Sequence, residues 1–250
     1  MRTIKLILAY DGTAYAGWQR QENVDTIQKR IEVAVSEIEG HPVTVHGAGR
    51  TDAGVHALGQ VASFELEHAL ETPSLLRALN ARLPTDIRVL SVHSVSRLFH
   101  ARYDAKRKSY QYRINQSKII DPMKRLYSWH IPQVLDLDAM QRSAGVLIGT
   151  HDFAAFQTAS SDAMVKSTTR TVFSIRILKE EPDIVAIDVA GDGFLRYMVR
   201  TIVGTVVEFG LGRSPDIGMA EVLATRTRSR AGPTAPAHGL FLLSVDYLHA

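Results

Sequence analysis

Cysteine is absent from the 250 residues. That excludes a disulfide-stapled scaffold, a thiolate metal centre and a cysteine nucleophile. No stretch approaches the ~20 apolar residues of a membrane-spanning helix. No low-complexity segment interrupts the chain, and a hydrophobic share of 45% is that of a core-forming protein rather than a disordered one. Charge of one sign is also lacking overall, since 29 basic and 26 acidic side chains leave only +3. The opening stretch MRTIKLILAYDG carries basic Arg2 and Lys5, but its apolar part is short and alternating, and no small-residue cleavage site follows. It reads as a first strand, and a cytoplasmic protein without membrane contact is expected. The length allows one large domain or two of ~100–150 residues.

The weak net charge hides an uneven distribution. Residues 1–96 hold nine basic and eleven acidic side chains, and 126–250 hold eleven and thirteen. Residues 97–125, RLFHARYDAKRKSYQYRINQSKIIDPMKR, hold nine basic and two acidic, with Tyr103, Tyr110 and Tyr112 among them. Cations beside aromatic rings suit a polyanion with stackable bases. A solvated linker between domains has the same composition.

Periodicity outlines the elements. Ile4, Leu6, Leu8 and Tyr10 alternate as in a strand, and Asp11-Gly12 is a turn signal. Ile27, Ile31, Ala34, Val35 and Ile38 follow helical spacing over 26–38, with Asp25 and Gln28 as a capping box and Gly40 and Pro42 as the stop. A short strand at 43–46, a glycine-rich loop and a strand at 60–66 follow, the last with Val61 and Phe64 on opposite faces. Thr72-Pro73 opens a second helix, and 87–95 is another strand. The second half has a similar rhythm. A strand at 108–114 places Tyr110, Tyr112 and Ile114 on one face. A helix spans 137–148 between Asp136 and Gly149, and strands cover 170–178 and 184–190. An apolar helix spans 194–209, Ser214-Pro215 starts a short helix, and 240–247 closes the chain. The order predicts an α+β fold of two similar α/β halves with antiparallel sheets, meeting near residue 105.

The stretch Gly47-Ala48-Gly49-Arg50-Thr51-Asp52-Ala53-Gly54-Val55-His56-Ala57 carries the chemistry. Asp52 sits among small residues that let a ligand approach the backbone. A carboxylate there can act as nucleophile or base; it can also cap a tight turn, as Asp often does. No Gly-Lys-Ser/Thr follows the glycines, so this is not a phosphate-binding P-loop. The third glycine of a dinucleotide fingerprint is missing too, and no Gly-x-Ser-x-Gly elbow occurs. His46, Asp52 and His56 have the residue types of metal ligands without helical spacing to support them.

At this point the sequence resembles a known family. GRTDAGVHA at 49–57 is similar to the signature of the tRNA pseudouridine synthase A family. Five further stretches follow in the family's order: YDGTAYAGWQRQ at 10–21, FHARYDAKRKSYQYRI at 99–114, GTHDFAAF at 149–156, GDGFLRYMVRTIVG at 191–204 and TAPAHGLFLLSVDY at 234–247. One departure is visible, Thr201 where the family has Asn, and it is expected to affect helix packing rather than chemistry. The resemblance implies a pseudouridine synthase fold in which the two halves join into one continuous sheet. It implies isomerisation of uridine to pseudouridine at positions 38, 39 and 40 of the tRNA anticodon stem-loop. It further implies Asp52 as the catalytic nucleophile or base, Arg200 as its cationic partner, Tyr110 as the ring that stacks on the target uracil, and Arg50 as a substrate-binding neighbour. The corresponding domains are 1–104, carrying the Asp loop, and 105–250, carrying the Tyr and Arg partners. The family acts as a homodimer on tRNA. The isomerisation is redox-neutral, so no metal, nucleotide or other cofactor is expected. Two rival classes share these residues: a non-catalytic RNA-binding protein of the same fold, and an aspartate-dependent nucleoside hydrolase.

Overall fold

A computed structural model of the chain describes residues 1–158, 167–213 and 217–248. The fold is mixed α/β, and the chain divides into two compact units, Met1–Lys106 with the final strand from Phe241, and Arg107–Leu240. Placing that final strand with the first unit departs from the 1–104 and 105–250 division. No helix among the described residues is long and apolar enough to cross a membrane.

The first unit contains β1 (Arg2–Tyr10), α1 (Ile27–Glu39), β2 (His46–Gly47), β3 (His56–Leu66), α2 (Thr72–Arg82) and β4 (Ile87–Val95). Alternation puts Ile4, Leu6, Leu8 and Tyr10 of β1 in the core. β1 pairs antiparallel with β3 on one side, Leu6 opposite Ala62, and with β4 on the other, Leu6 opposite Val92. β3 starts at His56, earlier than the strand expected at 60–66, so the end of the signature is already strand. Val61 and Phe64 are both buried, as a strand covered on both faces requires. The strand expected at 43–46 shrinks to the two residues of β2, which pair with Ser63 and Ala62.

α1 buries Ile27, Ile31, Ala34 and Val35, but its start differs from the expected capping box. Thr26 is the cap, and its side chain accepts from the Lys29 N–H. Asp25 is drawn off into an ion pair with Arg30, and the Gln28 amide donates to Val45 O at 2.9 Å and Glu32 Oε1 at 3.1 Å. Tertiary partners outcompeted the local motif. α2 packs against β4 and α1 through buried Leu75 and Leu79.

The second unit holds β5 (Ala105–Asn115), β6 (Trp129–His130), α3 (Leu137–Gly145), β7 (Gly149–Asp152), β8 (Thr169–Glu181), β9 (Ile184–Gly191), α4 (Met198–Gly210) and α5 (Met219–Thr225). Its strands run β5-β9-β8-β7, antiparallel, with β6 alongside β5. Tyr110, Tyr112 and Ile114 are all buried, as their shared face predicts. Asp136 caps α3 by accepting from the Ala139 N–H, and the helix ends at Gly145 rather than 148.

α4 starts four residues later than its apolar pattern suggests. Tyr197 takes a left-handed conformation (φ 62°) that cannot continue inward as helix, so Leu195 is buried from the approach segment instead. The helix is apolar nearly all round and is buried accordingly. Thr201 and Thr205 are fully buried inside it. The Thr205 hydroxyl donates to Thr201 O at 2.7 Å and accepts from the Gly232 N–H at 2.9 Å. A Cβ on Gly204 would lie 1.8 Å from Pro233 O, so residues 232–235 are strapped directly onto the helix. Ser214 and Pro215 lie outside the described residues, and the helix expected there is α5, which follows Gly218. The last strand, β10 (Leu240–Tyr247), runs parallel to the start of β3, Phe241 opposite His56.

Candidate active site

The glycine-rich loop between β2 and β3 is built against the turn that follows β1. Trp18 N–H donates to Thr51 O at 3.0 Å, and Gly54 N–H donates to Tyr15 O at 3.4 Å. Gly17 has φ 91°, and a Cβ there would lie 2.6 Å from Thr51 O and 3.0 Å from the Asp52 carbonyl carbon. Only glycine lets the two backbones approach this closely. Gly47 meets the Trp18 ring in the same way.

Buried polar side chains hold the loop from below. The Tyr10 hydroxyl lies 2.9 Å from Thr51 Oγ1. The Gln60 amide donates to Tyr10 Oη at 3.3 Å and to Gly49 O at 3.0 Å. Burial pushes the Tyr10 phenol up to about 12, against the partial opposing effect of those hydrogen bonds, so it stays neutral. Tyr15 donates to Asp86 Oδ1 at 2.7 Å, and burial first, then that carboxylate, raise its phenol as well. His56 is buried and stacks on Phe241, centroids 4.8 Å apart. Its Nδ1 lies 3.1 Å from both the Gly12 N–H and Asp11 Oδ1. Without a proton Nδ1 accepts from the amide, and with one it donates to the carboxylate; one nitrogen cannot do both.

Asp52 rides on this scaffold. It is half-buried between buried Thr51 and exposed Ala53. Its backbone carbonyl accepts from the Val55 N–H at 3.1 Å, closing a tight turn with Gly54 at φ 77°. Arg50 is exposed, and its Nε donates to Gln19 Oε1 at 3.0 Å. Asp52 and Arg50 therefore share one braced loop in the first unit.

Tyr110 and Arg200 belong to the second unit. Tyr110 lies on β5 opposite Val189, with its ring edge-on to Phe194 at 5.4 Å and 90°. Arg200 is in the first turn of α4. Its Nε donates to Ala235 O at 2.7 Å, and its guanidinium carbon lies 5.1 Å from the Tyr197 ring centroid. Two points of attachment thus orient the guanidinium. Tyr112 donates to Pro236 O at 2.8 Å; burial raises its phenol, opposed by the Arg200 charge.

The sequence pattern gave no role to Tyr10, Tyr15, Trp18 or Gln60 in holding the loop, whereas His56 has the packing role expected of a loop histidine. The glycines at 12 and 17, flanking aromatic residues, were the available signal. Among the described residues, the cluster able to surround a cation is Glu39, His41 and Glu67, which contains none of His46, Asp52 and His56. The Glu39 carboxylate already accepts from the Glu67 and His68 N–H groups at 3.1 and 3.0 Å.

A family model described as tRNA pseudouridine synthase matches residues 6–104 and 144–248 of the chain. The chain is 45% identical over 247 residues to tRNA pseudouridine synthase A of Acetivibrio thermocellus, covering 99% of this chain and 100% of that one. It is 43% identical over 251 residues to tRNA pseudouridine synthase A 1 of Desulfotalea psychrophila, with coverages of 99% and 100%. Among solved structures, a Cbf5-Nop10-Gar1 complex aligns at 14% identity and a TM-score of 0.35, covering 95% of this chain and 57% of that one.

Proposed function

The chain belongs to the tRNA pseudouridine synthase family, and from that premise we propose that Asp52 is the nucleophile with which it converts uridines 38, 39 and 40 of the anticodon stem-loop. The activity is isomerisation of uridine in tRNA to pseudouridine. The C1′–N1 bond breaks, the uracil turns, and C5 bonds to C1′. The proton lost from C5 is matched by one gained at N1, so nothing is oxidised or reduced and no cofactor is called for.

The observation that carries this reading is the bracing of the Asp52 loop. A half-buried aspartate opens a turn in a loop held by Tyr10 at the Thr51 hydroxyl and by Trp18 and Gln60 at backbone carbonyls. A group held in place before substrate arrives needs little reorganisation during reaction. Arg200, the cationic partner that the resemblance implies, offsets charge developing on the detached uracil. Its attachment to Ala235 O favours that role over a freely solvated arginine. Tyr110 stacks on the target base, and its packing against Phe194 limits the positions open to the ring. Arg50 meets a phosphate or takes the place of the extruded base. The basic segment 97–125 follows the tRNA backbone. The protein acts as a homodimer in the cytoplasm, as the resemblance implies.

Asp52→Asn tests the assignment. Unmodified tRNA is incubated with each protein, labelled with a reagent selective for pseudouridine and read by primer extension. The variant is expected to bind tRNA and lose at least about 10³-fold in modification rate. Undiminished modification would remove Asp52 from the chemistry. Release of free uracil by the wild-type protein would indicate a hydrolase, and tRNA binding by the wild type with no pseudouridine made would indicate a binding protein.

A further inference from the structure

Residues 96–104, between β4 and β5, form a short loop that is held in place to an unusual degree. Ala101 is fully buried. Its N–H donates to Ser63 Oγ at 3.1 Å, and its carbonyl accepts from the Tyr247 hydroxyl at 2.7 Å. His100 N–H donates to Asp104 Oδ2 at 2.7 Å, and Asp104 N–H returns to His100 O at 3.1 Å. The His100 ring accepts at Nδ1 from the Arg102 and Tyr103 N–H groups, at 3.1 and 3.4 Å.

This network gathers three rings into a cluster around His100. The His100 centroid lies 4.9 Å from that of His46 on β2 and 4.3 Å from that of Tyr103, with planes inclined by 34° and 33°. A nitrogen that accepts from backbone amides carries no proton, so the middle ring is neutral. Burial, then the neighbouring His46, lower its basicity further. The outer ring is left in water: Tyr103 is 73% exposed. The Arg102 guanidinium carbon lies 6.0 Å from its centroid, at the outer limit of cation–π reach.

The Tyr103 ring stays in water while its centroid lies against that of His100, in a loop whose backbone is pinned by hydrogen bonds. Every nucleobase has a π face, so the exposed Tyr103 ring can take one base without regard to its identity. The surrounding segment is the most basic in the chain, nine cationic to two anionic side chains over 97–125, which favours RNA over an apolar protein surface as occupant. We infer that the Tyr103 ring, backed by His100 and His46, is a stacking platform for one unpaired or extruded base of the bound tRNA, with Arg102 meeting the phosphate of that nucleotide. This rests on tRNA being the substrate. It adds a second contact for RNA, separate from the residues assigned to chemistry.

The test uses the full chain and an unmodified tRNA transcript, with affinity read by fluorescence anisotropy at fixed salt and turnover by pseudouridine-selective primer extension. Tyr103→Ala and Tyr103→Leu are expected to weaken tRNA binding about ten-fold. The leucine variant keeps apolar bulk and loses the π face. Tyr103→Phe and Tyr103→Trp are expected to bind like the wild type. In the alanine and leucine variants KM rises, while kcat at saturating tRNA and the melting temperature are unchanged. Equal affinity in all four variants of an active protein would overturn the platform. So would a leucine variant that binds like phenylalanine, a loss confined to kcat, or an alanine variant whose only change is altered self-association in sedimentation. A wild-type protein that makes no pseudouridine would overturn the functional reading itself, and the platform with it.

Discussion

Two loops of the first unit, 48–56 and 96–104, are both pinned by hydrogen bonds and yet put their side chains to opposite use. Under the Asp52 loop the aromatic residues are buried: Tyr10, Tyr15 and Trp18 are at most 6% exposed. They support a small-residue turn whose outward feature is a carboxylate. In the 96–104 loop the buried element is the backbone around Ala101, and the aromatic ring of Tyr103 faces water. Rings beneath a loop make it rigid, whereas rings above it make a surface. The first arrangement suits a group that must be aimed, and the second suits contact with a partner that supplies its own flat face.

Gly17→Ala would place a methyl group 2.6 Å from Thr51 O at a φ of 91°. We expect a loss of about 3 kcal/mol in denaturant unfolding and a larger relative loss of modification activity, because the strain falls on the Asp52 loop itself. Full activity in a destabilised variant would show that the exact path of the loop does not matter. Tyr10→Phe is gentler. It removes the contact to Thr51 Oγ1 and the acceptor for Gln60. We expect about 1–2 kcal/mol in stability and a several-fold drop in kcat with KM nearly constant.

A second aspartate sharpens the contrast further. Asp152, at the end of β7, accepts from the Thr168 hydroxyl at 2.5 Å and the Ala154 N–H at 3.1 Å, and pairs with Arg226 at 3.1 Å. The Thr168 hydrogen bond, then the Ala154 N–H and the Arg226 charge, hold its carboxyl below the usual carboxylate range despite some burial. A group whose acidity is strengthened by folding stabilises the fold above its unfolded pKa, about 4 for Asp, and that contribution fades as pH falls through the lower folded value. Asp152→Asn is therefore expected to cost about 1 kcal/mol at neutral pH. The gap to wild type should narrow steadily in thermal melts taken below about pH 4. A gap independent of pH would mean that the carboxylate charge contributes nothing there. Modification at neutral pH should be far less sensitive to this change than to Asp52→Asn, since Asp152 is occupied with its own loop.

Much of the architecture was legible because period and punctuation carry it. β1, α2, β4, β8, β9 and β10 fall close to the positions their apolar patterns predict. The misreadings have physical causes. Asp25 and Gln28 have the residue types of a capping box, but an arginine and a strand carbonyl offered them better partners. The 194–209 pattern is apolar from its first residue, yet burial of Leu195 does not require helix, and the left-handed Tyr197 delays α4 to Met198. The final strand pairs with β3 of the first unit, a long-range choice that no local pattern encodes.

Residue order alone settled that this is a mixed α/β protein and pointed to one nine-residue stretch with one acidic side chain, because glycine spacing and alternation are local properties. The network that aims that side chain was out of reach of such reasoning. Tyr10, Trp18 and Gln60 look like ordinary strand and turn residues until the folded backbone brings them under Thr51 and Gly49. The same holds for the rings of His46 and Tyr103, which are 57 positions apart in the chain and both lie against His100 only because β2 and the 96–104 loop are both fastened to Ser63, by pairing in one case and by its hydroxyl in the other.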